Sequence, residues 1–121
     1  MANAINWFEL PSNNFQRAVK FYGDVLNTEL QPMDMPGAKM AFFPTTDNGV
    51  GGCVISTEGH EPSMSGSLVY LNGGDDLAEP LSRVEAAGGE VLVPKTSIGE
   101  NGFFAVFKDS EGNRVAFHSM S

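Results

Sequence analysis

The chain repeats itself. LPSNNFQRAVKFYGDVLNTEL at residues 10–30 is echoed by LNGGDDLAEPLSRVEAAGGEVL at 71–92, with Phe15 matched to Leu77. The same offset sets Val19 against Leu81, Tyr22 against Val84, Phe42 against Phe104, Asp47 against Asp109 and Val54 against Ala116. Few of these pairs are identical, but polarity and turn residues agree. A fold made from two copies of one supersecondary unit is therefore expected: a single domain over 1–121 with repeats at 1–56 and 67–121. Two such units are expected to enclose a ligand cleft near their pseudo-twofold axis.

Composition narrows the partners. A chain of 121 residues, 41% hydrophobic with nine phenylalanines, is long enough for one real core. Its formal charge of −8 argues against nucleic acid and against an anionic membrane surface, since both reward Lys and Arg. The single cysteine, Cys53, excludes an internal disulfide and fits a reducing compartment. The opening MANAINWFELPSNN has neither a basic start nor a long apolar run, and no stretch reaches the roughly 20 apolar residues of a membrane span. A cytoplasmic location is expected.

Each repeat reads as βαβββ. Residues 4–10 form a strand with Ile5, Trp7 and Glu9 on one face and Asn6, Phe8 and Leu10 on the other. A helix starts near Ser12–Asn14, carries a stripe of Phe15, Ala18, Val19, Tyr22 and Leu26, and stops at Asn27. Strands follow at 28–33, 38–44 and 50–56, and the polar stretch 57–66 links the repeats. The second copy gives a strand at 67–72 and a helix at 76–87 with Pro80 in its first turn, ended by Gly88 and Gly89. Strands at 90–93, 102–108 and 113–119 complete it, the last two joined by a tight turn over Asp109–Gly112. The fold class is α+β, two βαβββ units curving into an open, barrel-like sheet.

This pattern resembles the vicinal oxygen chelate superfamily, the group of glyoxalase I, extradiol dioxygenases and bleomycin-resistance proteins. The resemblance is carried by Leu10–Phe15 at the strand-to-helix passage, Ala18 with Phe21-Tyr22, Leu26-Asn27, and the run Asp109-Ser110-Glu111-Gly112-Asn113-Arg114. It spans both copies and looks most like the small, single-domain, glyoxalase-like proteins of bacteria. It implies metal ligands on the first and last strands of each unit. Those positions fall on Trp7, on Val69 (or Tyr70 in a register one residue along), near Val54, and on Ala116. None carries the donors that a divalent ion wants. The expectation is thus no family metal and no cofactor.

Glu9 shares a face with Trp7, the concave side in the family. It reads either as a desolvated base, or grip for a cation, or as a strand-end acid paired with a basic neighbour. His118 is either a proton-exchanging partner of Glu9 or a histidine of a frayed terminus. Arg114 is a candidate anchor for an anionic group or a surface ion-pair partner. Trp7, Val54, Tyr70, Asn72 and Phe104 complete the expected ligand-binding set with Glu9, Arg114 and His118. His60, between Glu58 and Glu61, reads as a solvated spacer, and Cys53 as a buried inert thiol. No phosphate loop, GxSxG elbow or CxxC is present.

Four functions compete, the blandest being a structural or partner-binding domain whose barrel is filled. The first is sequestration of a small, aromatic or cationic compound, as in the bleomycin-resistance branch. The second is a metal-independent isomerase or lyase using Glu9 as base and His118 as acid. The third is a metal-dependent enzyme of glyoxalase or dioxygenase type. A homodimer is expected, because relatives pair their units across chains and an open sheet leaves an edge to cover.

Overall fold

The computed structural model describes residues 3–121, so the first two residues of the repeat and of the stretch read for a leader lie outside the described residues. The chain runs β1 (Trp7–Pro11), α1 (Phe15–Leu26), β2 (Gln31–Met35), β3 (Ala38–Phe42), β4 (Gly51–Thr57), then β5 (Val69–Asn72), α2 (Ala78–Leu81), β6 (Glu90–Ser97), β7 (Phe103–Lys108) and β8 (Arg114–Ser119). The strands form two four-stranded sheets, β1-β4-β3-β2 and β5-β8-β7-β6. In each, the first strand pairs in parallel with the last and the other pairs are antiparallel. The α+β class and the twofold repetition stand. The open arrangement holds as two sheets, one per unit, that do not close on each other.

Helix α1 follows from its ends. The Asn14 side chain accepts the Arg17 N–H at 3.1 Å, and Asn27 closes the helix in the left-handed region at φ 51°. Its core stripe is Ala18, Phe21, Tyr22 and Val25, with Phe15, Val19 and Leu26 packed at the margins. The buried face is broader than the expected stripe because α1 packs against both sheets. Tyr22 meets Phe43 beyond β3 edge-on at 5.4 Å, and Phe21 meets Phe107 of β7 at 6.2 Å. One core thus serves both halves, joining Leu10, Ala41, Phe43 and Val54 to Leu71, Ala105, Phe107, Val115 and Phe117.

The second helix departs from expectation. Regular helix covers only Ala78–Leu81, followed by turns to Gly88. Pro80 supplies no N–H, and Arg83 and Val84 bond three residues back, to Pro80 and Leu81, rather than four. Strand β6 runs further than the expected 90–93 and is irregular, with register shifts between Val91 and Val93 and between Val93 and Thr96, around Pro94.

The repeat offset also drifts. The core residue of β8 that matches Val54 is Phe117, one residue beyond Ala116, since each faces the shared core and pairs with an alanine, Ala41 or Ala105. A one-residue slip in a strand exchanges its two faces. Val54 is 1% exposed in the core, which corrects its placement in the ligand-binding set. The residues of β4 that share a face with Trp7 and Glu9 are Gly51, Cys53 and Ile55.

A polar knot ties the halves together. Asp109, 2% exposed, accepts the Tyr22 hydroxyl at 2.6 Å, the N–H groups of Glu111 and Asn113 at 2.9 Å each, and the Asn113 amide at 2.9 Å. The Asn113 amide also reaches the Pro11 carbonyl, and its oxygen accepts the Ser63 N–H of the linker. Burial first, then the Asp109 charge, holds the Tyr22 hydroxyl well above the usual phenol range. Beside it, Glu111 accepts the N–H groups of Asn13 and Asn14 and both donors of Arg17, at 2.7 and 3.2 Å. Burial pushes the Glu111 carboxyl up, but Arg17, the two backbone donors and Ser110 outweigh it and hold the group below its ordinary value.

Candidate functional site

Each sheet turns one face to the shared core, and alternation places the chemistry-bearing side chains on the other, outer face. On the first sheet this face carries Trp7, Glu9, Met33, Met40, Phe42 and Cys53, and on the second Tyr70, Asn72, Phe104, Arg114, Ala116 and His118. Trp7 and Tyr70 are half exposed.

Glycine makes room for the aromatics of β1. Trp7 lies opposite Gly51 and Phe8 opposite Gly52. A methyl group on Gly51 would meet the Trp7 ring at 3.0 Å, and one on Gly52 the Phe8 ring at 2.3 Å. Trp7 then packs edge-on against Phe42 at 5.6 Å, and Phe8 tilts against Phe43 at 5.5 Å. The two rings leave β1 on opposite faces and frame a cleft of about 1000 Å3 between β1 and β5. Its walls include Trp7, Phe8, Phe43, Val69, Tyr70 and Asn72. β1 and β5 are terminal strands of their sheets, so each presents an unpaired edge to this cleft. A second hollow of about 800 Å3 lies at the end of β5 and β8, bordered by Tyr70, Asn72, Asp75, His118 and Met120.

Of the expected site residues, Trp7, Tyr70 and Asn72 wall the main cleft, and His118 borders the second hollow with Tyr70 and Asn72. Glu9, Phe104 and Arg114 line neither. No hydrogen bond joins Glu9 to His118. Glu9 accepts the Trp7 indole N–H at 3.3 Å and meets His60 Nε2 at 3.3 Å, whereas His118 Nε2 donates to the Asn101 carbonyl at 2.7 Å. That bond places a proton on Nε2 of His118 and engages it with the backbone rather than with Glu9. His60, read as a solvated spacer, instead folds back over β1. Phe8, Phe43 and Val69 were missed as walls; the Gly51-Gly52 pair opposite two aromatics was the available signal.

The donor set does not fit the family's metal. Trp7, Tyr70 and Ala116 hold outer-face positions on the ligand-bearing strands, and Cys53 replaces Val54 there. Cys53 is fully buried, and burial followed by the nearby Glu9 charge pushes its thiol up to about 11. Among the described residues no three His, Cys, Asp or Glu side chains converge. Glu9 and His60 make a pair, short of the three protein donors of a catalytic site.

Comparison with known proteins agrees with this architecture. The Glyoxalase/Bleomycin resistance protein/Dioxygenase superfamily matches residues 4–117. A glyoxylase-like domain-containing protein from Didymella fabae is 32% identical over 121 residues, covering 93% of this chain and 90% of the relative. Among solved structures, a glyoxalase I mutant from Zea mays superposes with a TM-score of 0.72 at 20% identity, over 93% of this chain and 45% of that one. The chain therefore spans less than half of the maize enzyme's length. An antibiotic binding protein from Streptomyces superposes with a TM-score of 0.71 at 21% identity, over 100% of this chain and 99% of that one. At these identities the structural likeness speaks for the fold.

Proposed function

The chain belongs to the glyoxalase/bleomycin resistance protein/dioxygenase superfamily, and on that footing we propose that it captures a small organic ligand in the cleft between its two halves, without a metal. One observation carries the reading: a cleft of about 1000 Å3 between the free edges of β1 and β5, walled by Trp7, Phe8, Phe43 and Tyr70. A largely apolar hollow with a few polar tips, here the Tyr70 hydroxyl and the Asn72 amide, is the usual anatomy of a small-molecule site. The full-length likeness to an antibiotic binding protein fits capture without turnover. The repeats 1–56 and 67–121 are read as the two jaws and 57–66 as their connection. The isomerase or lyase reading is weakened, since no hydrogen bond joins Glu9 to His118 and each has another partner.

We further read the protein as a cytoplasmic homodimer. Met33, Met35 and Tyr70 stand about half exposed on sheet faces that the chain leaves uncovered. The only cysteine is free and buried. No described helix is long and apolar enough to cross a membrane. Sedimentation tests the assembly: a single monomer boundary at micromolar concentration overturns it.

The ligand test uses thermal shift with a panel of glycopeptide antibiotics and small aromatic compounds. A binder that prefers the native state raises the melting temperature. Capture is supported by a saturable rise that Trp7→Ala abolishes, and refuted if no compound shifts the transition.

A further inference from the structure

We propose that Glu9, together with Trp7 and Phe42, forms a subsite for the cationic group of an organic ligand, and that His60 occupies this subsite in the ligand's absence. The proposal rests on the cleft-binding reading and adds the chemical class. Glu9 is the only carboxylate on the outer face of β1, and its side chain is 32% exposed. It shares its sheet face with Trp7 and Phe42, in edge-on contact with one another, and, further across the sheet, with Met40 and Met33. A carboxylate beside aromatic side chains suits a quaternary or primary ammonium better than a hydrated inorganic ion, because the rings attract cations and the apolar surround favours weakly hydrated ones.

Trp7 links the two places. Its ring walls the cleft, and its N–H points to Glu9, two residues and roughly 7 Å further along the strand. A ligand whose aromatic part lies in the cleft can therefore extend its cationic end past the indole to the carboxylate.

The present occupant is His60. Its ring is 45% exposed, comes from the linker, and touches Glu9 through a single long contact of 3.3 Å. Its chain neighbours Glu58 and Glu61 make no ion pair with it among the described residues. Facing the pair from β4 is the neutral Cys53 thiol, and from β2 and β3 come only Gln31 and apolar side chains. His60 is thus the one group at this spot able to become cationic. When protonated, the ring occupies Glu9 and repels an incoming ammonium. When neutral, it yields. Cation affinity should therefore be weaker where the ring carries its second proton than where it does not.

Trp7 is the only tryptophan, so its emission reports on the subsite directly. The probes are benzyltrimethylammonium and benzyl alcohol, which share a ring and differ in charge. At pH 8 the cation should bind about tenfold more tightly than the alcohol, and Glu9→Gln should bring the two within about twofold. For the native protein, cation affinity should be roughly fivefold weaker at pH 5.5 than at pH 8, and His60→Asn should abolish that difference. Equal binding of both probes overturns the cation subsite while the cleft survives. Absence of any Trp7 response to either probe overturns the cleft as well. A pH dependence that persists in His60→Asn overturns the role of His60.

Discussion

The two halves share a strand order but spend their side chains differently. In the first, β4 sets Gly51 and Gly52 beneath Trp7 and Phe8, so β1 projects large aromatics on both faces. In the second, β8 sets Val115 and Ala116 beside Val69 and Tyr70, leaving no such slots. The turns between their third and last strands differ in the opposite sense. Asp109 in the second half is buried with four accepted hydrogen bonds, whereas Asp47, its partner in the repeat, lies exposed in the longer loop after β3. The first half spends its strand pairing on room for aromatics, and the second spends its turn on the polar knot that ties the molecule together. Duplication supplied the frame, and local packing then divided the labour.

The largest effect should come from testing that division at the aspartates. Asp109→Ala removes four bonds and strands the Tyr22 hydroxyl in the core, and should cost about 4 kcal/mol in urea unfolding. Asp47→Ala should stay within about 0.5 kcal/mol. Similar costs at both sites would erase the contrast. Glu111, whose side chain is fully buried, comes next: Glu111→Gln should cost about 2 kcal/mol at pH 7. Its carboxyl sits below the ordinary value of 4.5 in the fold. Its contribution is therefore complete above that value and lost as pH falls through the lower, folded one. The native protein should lose stability between about pH 5 and pH 3, and Glu111→Gln should lose less. An identical acid profile for the two proteins would place the acid transition elsewhere.

Legibility in the sequence followed the physics of each element. Helix α1 was readable because Asn14 and Asn27 are caps whose chemistry is local, and the Asp109–Gly112 turn because Gly112 supplies the positive φ of 93°. The second helix was overextended because Pro80 and the tight bonds after it depend on packing that a polarity pattern does not record. Val54 was assigned to the wrong face because the repeat offset slips by one residue in the last strand, and a slip of one is invisible to a match of hydrophobicity. Trp7, Glu9, Phe8 and Leu10 were assigned to the faces they take, since alternation in β1 is regular. The approach of His60 to Glu9 was not readable at all. A polar linker has no periodicity, and its path is set by Ser63, which bonds Asn113 and Arg114 in the other half.

The glycines offer a finer probe of the first half. Gly52→Ala would place a methyl group on the Phe8 ring, a wall of the cleft, which must shift to relieve the clash. A cost of about 1.5 kcal/mol is expected, in the range of mild overpacking, with weakened ligand binding measured by Trp7 emission. Unchanged stability and binding would mean that Phe8 does not depend on the glycine for its place.

The smallest effect concerns Cys53, which shares the outer face with Glu9 yet lies fully buried beneath it. With the thiol pushed up to about 11, only on the order of one molecule in a thousand carries a thiolate at pH 8. Aromatic disulfide reagents should label the native protein far more slowly than the urea-unfolded chain. Glu9→Gln removes the charge but leaves the burial, which is the larger cause of the shift. Labelling of that variant should therefore quicken only slightly, by no more than a few fold. A large acceleration would show that the carboxylate, rather than the packing around β4, protects the thiol.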